Sequence, residues 1–145
     1  MRLRPNLGIV VALFAFGCSQ PSDQGTVGSW SRAVGFIDSG GIATSPILAP
    51  QSVQAGAVFT VTVSTFGSTG CIRPDESQVQ ATGTVVDITP YDSVWSNDPP
   101  CLPGWQAYPR SLQLRFDQVG SAVIRLHGRG FDRTLTIERT LTIGP

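Results

Sequence analysis

The chain has 145 residues, of which 41% are hydrophobic and 14% charged, the size and composition of one compact domain, which argues against a multidomain enzyme. Its ten basic residues are all Arg and are matched by ten Asp and Glu. The formal charge is therefore zero, and nothing supplies the electrostatic footprint of a nucleic-acid binder.

At the N-terminus, Arg2 and Arg4 precede an apolar run over residues 7–16, followed by Gly17 and Cys18. This is the three-part layout of a secretory signal peptide. The run makes roughly 15 Å of helix, against a hydrocarbon layer of about 30 Å, so it is too short to span a bilayer. Ala15-Phe16-Gly17-Cys18 resembles the lipobox of bacterial lipoproteins, in which the Cys thiol receives a diacylglycerol and the chain is cut just before it. That resemblance implies a signal peptide over residues 1–17, lipidation of Cys18 with palmitate-type acyl chains, and a membrane anchor. Ala15 stands where such motifs usually carry Leu, and Phe16 is bulkier than the usual residue there.

The same small residues, Ala15 and Gly17, also satisfy an ordinary signal peptidase, which would release a soluble secreted protein. Cysteine parity favours the lipid. Cys71 and Cys101 can pair in an oxidising compartment, whereas ordinary cleavage leaves Cys18 as an odd thiol. Ser19 after the Cys resembles the pattern sent to the outer membrane of two-membrane bacteria. The rest of the 18–29 segment is polar and lacks a periodic apolar face, as in a flexible tether spanning roughly 18 Å. Loss of Arg2 and Arg4 leaves eight Arg against ten acidic residues, a net charge of minus two, so broad attraction to anionic lipid is not expected.

From Trp30 onward, short runs rich in Val, Ile, Thr and Phe alternate with Gly, Pro, Asp and Ser, the pattern of an all-β domain over residues 30–145. Expected strands lie at 32–38, 47–48, 53–54, 57–65 and 78–89. Residues 57–65 place Phe59, Val61 and Val63 on one face. Leu112, Leu114 and Phe116, then Ala122, Ile124 and Leu126, read as a hairpin about a turn at 117–120. A last strand over 133–143 carries Leu135, Ile137, Leu141 and Ile143 on one face, with Arg139 out of place among them. Arg139 implies a bulge, a buried carboxylate or a sheet edge.

Seven to eight short strands fit an antiparallel two-sheet sandwich, with a closed barrel as the alternative. Pro50, Val53, Gly56 and the strand Phe59-Thr60-Val61-Thr62-Val63 resemble the second-strand region of bacterial immunoglobulin-like domains, and residues 112–126 are similar to their penultimate hairpin. Gln118, Ala122 and Ile124 stand at the Asp, Tyr and Cys positions of the antibody-type corner, so an antibody-like core disulfide is not expected.

Cys71 and Cys101 both fall at strand ends, where a bridge closes a loop of about thirty residues and contributes roughly 3–4 kcal/mol in the chain-entropy picture. There is no Cys-x-x-Cys, and one His does not complete a zinc shell, so neither a metal nor a cofactor is expected. Residues 91–110 hold four Pro and the aromatics Tyr91, Trp95, Trp105 and Tyr108, read as a long loop that is either a lid over the sandwich or a pre-ordered binding face for a glycan or peptide.

Candidate chemistry is sparse. His127 falls on a solvent face with Val123 and Arg125, and no Gly-x-Ser-x-Gly elbow accompanies it. Asp75 with Glu76, and Asp92 with Asp98, read as solvated loop acids. Arg115 and Arg125 are expected as cross-strand neighbours near Arg129 and Arg133, read either as surface residues paired with Asp117, Asp132 and Glu138 or as a weakly basic stripe for an acidic partner such as lipopolysaccharide phosphate. Together these readings describe a noncatalytic, cell-envelope lipoprotein with an immunoglobulin-like interaction or structural module. Its partners are the membrane, through the N-terminal lipid, and an envelope protein or glycan; the alternative is a carbohydrate- or peptide-binding module.

Overall fold

The computed structural model describes residues 28–96, 101–102 and 104–145. The signal peptide, Cys18, most of the tether and Asp98 lie outside these residues. The described chain forms β1 (Ser29–Val34), β2 (Ile47–Leu48), β3 (Ser52–Gln54), β4 (Val58–Ser68), β5 (Ile72–Pro74), β6 (Gln78–Thr82), β7 (Val85–Thr89), β8 (Tyr91–Ser96), β9 (Trp105–Arg115), β10 (Gly120–Arg129) and β11 (Thr134–Gly144). The domain is all-β, and it is arranged in three sheets, ordered β3-β11-β10-β7-β6, β2-β4-β9 and β1-β8-β5.

The core lies between the first two sheets. Ile47, Val61, Val63 and Leu114 come from the three-stranded sheet, and Val86, Ile88, Ala122, Ile124, Leu126, Leu141 and Ile143 from the five-stranded one. Period-two alternation puts each of these on the inner face, and fully burying one Val, Ile or Leu side chain contributes about 1.5–3 kcal/mol. In β4 the alternation ends at Val63, after which Ser64, Thr65 and Phe66 are all buried. The third sheet covers this half of the strand, so both its faces are hidden: the hydroxyl of Thr65 bonds the Asp92 carboxylate of β8.

Several expectations change. Strands number eleven among the described residues because 78–89 is a β6–β7 hairpin turning at Gly83, which has φ 61°, and because the expected loop 91–110 is largely β8 and β9. The five-stranded sheet is mixed, with β10 and β7, and β11 and β3, paired in parallel, whereas the two three-stranded sheets are antiparallel. The expected hairpin over 112–126 is a crossover, since β9 pairs with β4 and β10 with β11 and β7. Phe116 and Ala122 flank the turn and both reach the shared core, which a crossover between facing sheets allows.

Arg115 and Arg125 consequently sit in different sheets, and each bonds an acid near it, Asp117 at 2.6 Å and Glu138 at 3.0 Å. The β10–β11 register runs unbroken through Ile124↔Arg139, so there is no bulge. Arg139 is exposed where β11 has no outer neighbour, β3 joining it only from Thr142 onward. The sheet edge accommodates the charge.

Candidate functional site

One end of the sandwich gathers two clusters of aromatic side chains. Trp30 and Trp95 are cross-strand partners in β1 and β8, and their rings lie 5.3 Å apart at 56°. The Arg73 guanidinium lies 3.9 Å from the Trp30 ring centre, and Arg32 caps Tyr91 at 3.6 Å, two cation–π contacts on one face of the third sheet. Beside them runs an open groove of about 410 Å³, lined by Trp30, Arg73, Trp95, Leu102 and the cystine of Cys71 and Cys101.

A second aromatic cluster adjoins it. Phe36, Trp105 and Phe131 pack edge-on and stacked at 4.9–6.0 Å, and Gly40, at φ 59°, lets the loop pass close to both Trp105 and Phe131. A cleft of about 190 Å³ bordered by Phe36, Trp95, Trp105 and Arg129 links the two clusters. The apolar surface left exposed includes Leu102 at 62%, Phe131 at 70% and Trp105 at 39%.

Cys71 and Cys101 are joined, with Cα atoms 5.4 Å apart and a sequence separation of 30. The bridge fastens the start of β5 to the chain just before β9, next to the groove. Of the four aromatic candidates in 91–110, Trp95 and Trp105 belong to this end. Tyr91 and Tyr108 instead tie strands together: the Tyr91 hydroxyl donates to Gln78 Oε1 at 3.4 Å, and that of Tyr108 to the Ser68 carbonyl at 3.0 Å. Trp30, Arg73, Phe36 and Phe131 were not legible as partners, because cross-strand register and stacking, not local spacing, unite them with Trp95 and Trp105.

Two polar clusters lie elsewhere. Asp92 is buried, contrary to its reading as a solvated acid, because Arg110 meets it at 2.5 Å from β9. Arg110 also donates to Thr65 Oγ1 and to the carbonyls of Asp75 and Tyr91, while its Nε has no protein partner. Asp75 accepts from Arg32 at 3.2 Å. This network fixes the third sheet onto β4 and β9.

On the outer face of the five-stranded sheet, Asp87, His127 and Thr136 form a row across β7, β10 and β11. His127 Nε2 lies 2.7 Å from Asp87 and its Nδ1 lies 3.0 Å from Thr136 Oγ1. Carboxylate, imidazole and hydroxyl follow the order of a nucleophilic triad. The adjoining hollow, about 180 Å³ and lined by Gln78, Gln80 and Thr89, is open to water. The hydroxyl of the row lies on β11, which pairs with β10 on one side and, among the described residues, has no outer neighbour at this level. The row ties three strands together.

Among the described residues, no group of three or more His, Cys, Asp or Glu is placed to hold a metal ion, and no helix is long and apolar enough to cross a membrane. Comparison of the chain with protein-family models, with curated proteins and with solved structures returns no match.

Proposed function

We propose that this chain is a noncatalytic, lipid-anchored protein of the bacterial cell envelope, whose immunoglobulin-like sandwich is an interaction module held near the membrane. The observation that carries the reading is the aromatic end, an exposed apolar surface built of stacked and edge-on rings. Anchorage rests on the lipobox-like Ala15-Phe16-Gly17-Cys18 and on cysteine parity, now that Cys71 and Cys101 account for each other.

The immunoglobulin-like assignment draws on topology. β2 and β3 divide the opening segment between two sheets, β2 pairing with β4 and β3 with β11, while β4 pairs with β9 and β10 with β11. These pairings follow the immunoglobulin order of first, second and fifth strands in one sheet and of the last two in the other. The parallel β7 departs from it, because the inserted β6–β7 hairpin reverses the direction in which the chain joins β10.

The test is fractionation of envelopes carrying the wild-type chain or Cys18→Ala. Expected is a mature wild-type chain released from membranes only by detergent, and a Cys18→Ala chain that no longer enters the detergent phase in mature form. Equal partitioning of the two mature chains would remove the anchor. A second reading, a carbohydrate- or peptide-binding module, draws on the groove beside Trp30 and Trp95, whose volume of about 410 Å³ falls in the range of small-ligand sites. A saturable change in Trp fluorescence with a soluble glycan, lost in Trp95→Ala, would favour it.

A further inference from the structure

The chain's three Trp residues, Trp30, Trp95 and Trp105, all line the same end of the sandwich. The tether enters the fold at that end. Gly28 lies so close to Trp95 that a Cβ there would run into the indole, and the next residue, Ser29, is already paired with Ser96. The opposite end, with the turns at Gly56 and Gly120, is one β4 length away, roughly 36 Å at the usual strand rise. Its exposed apolar residues are the aliphatic Val58 and Val119.

Ten peptide units link Cys18 to Gly28. Fully extended they reach at most about 35 Å. An acyl group on Cys18 therefore holds the Gly28 end of the domain closest to the bilayer, at high effective concentration. That end carries the residue types found at membrane interfaces, Trp rings with an apolar body and a polar edge, beside exposed Leu102 and Phe131. Arg73 and Arg129 stand among them, and neither has a carboxylate within 4.0 Å among the described residues. Asp132 and Arg133 share the neighbouring turn and offset each other, and Asp38, whose carboxylate accepts from the Gly40 N–H, adds one acid to this end.

We propose that this aromatic end is the membrane-facing surface of the anchored protein: Trp30, Trp95, Trp105, Leu102 and Phe131 seat in the headgroup layer, and Arg73 and Arg129 meet lipid phosphates. The proposal rests on the anchor at Cys18. With a net charge of minus two after loss of Arg2 and Arg4, the mature chain gains little from long-range attraction, so the contact forms because the tether delivers this end and not another.

The experiment uses the native protein in vesicles of phosphatidylcholine and phosphatidylglycerol whose acyl chains carry bromine near the headgroup. Expected is quenching of Trp emission relative to unbrominated vesicles, reduced in the surface variant Leu102→Ser/Phe131→Ser. In Arg73→Gln and Arg129→Gln the ratio of seated to unseated protein should fall about fivefold per residue, the worth of one Arg at an anionic surface. Identical emission in the two vesicle types, with acyl mass present on Cys18, overturns the proposal, as does a response to a soluble glycan or protein alone. If Cys18 carries no acyl group, its thiol is coupled to a maleimide lipid in the same vesicles. Quenching there sustains the membrane-facing end while the native anchor fails, and its absence removes both.

Discussion

The molecule holds two clusters of similar composition in opposite surroundings, and the contrast shows what water does to one kind of bonding. Asp92, Arg110 and Thr65 join a carboxylate, a base and a hydroxyl, with the Asp92 side chain 2% and the Arg110 side chain 11% exposed. Asp87, His127 and Thr136 do the same on the sheet surface, with the His127 and Asp87 side chains 38% and 35% exposed. In the first, losing either charged partner leaves the other charge buried and unpaired. In the second, water replaces whatever is removed.

Breaking the buried cluster is the largest expected effect. Arg110→Ala leaves the buried Asp92 carboxylate without its counter-ion and with only the Thr65 hydroxyl, and should cost about 3–5 kcal/mol by chemical denaturation. That is a large part of the 5–15 kcal/mol typical of a domain. A loss below about 1 kcal/mol would place water in the cluster and erase the contrast. The paired replacement Asp92→Leu/Arg110→Met sharpens it, since removing both charges together should cost less than Arg110→Ala alone.

Next in size is the cystine. Cys71→Ala/Cys101→Ala reopens a loop of thirty residues and should lower stability by roughly 3–4 kcal/mol in the chain-entropy picture, with the folded spectrum retained. An unchanged denaturation midpoint would mean that the bridge positions the groove without stabilising the domain. The smallest effect belongs to the surface row: His127→Ala should cost no more than about 1 kcal/mol. A loss near that of Arg110→Ala would make the row a structural centre. Measurable ester hydrolysis by the wild type, abolished in His127→Ala, would instead contradict the noncatalytic reading.

How much of this was legible depended on range along the chain. Alternation within one strand gave the inner residues of β10 and the apolar positions of β11, because burial on one face leaves a period-two signature. It failed at Ser64–Phe66, where a third sheet covers the outer face, and at 112–126, where a turn that reads as a hairpin passes between sheets. Asp92 looked like a loop acid because its partner Arg110 arrives from another strand eighteen residues later. The Cys71–Cys101 pair was legible by elimination, and Trp95 and Trp105 by composition. Trp30 and Arg73 join them only through register, which no local pattern carries.

The anchored, stapled domain is tested most directly by the intact mass of the protein purified from its native envelope, with and without reductant. Expected is a chain beginning at Cys18 that carries added acyl mass and gains two hydrogens on reduction, from the single bond between Cys71 and Cys101. A chain of unmodified mass beginning at Cys18 or later would contradict the anchor and make a soluble secreted factor the better description.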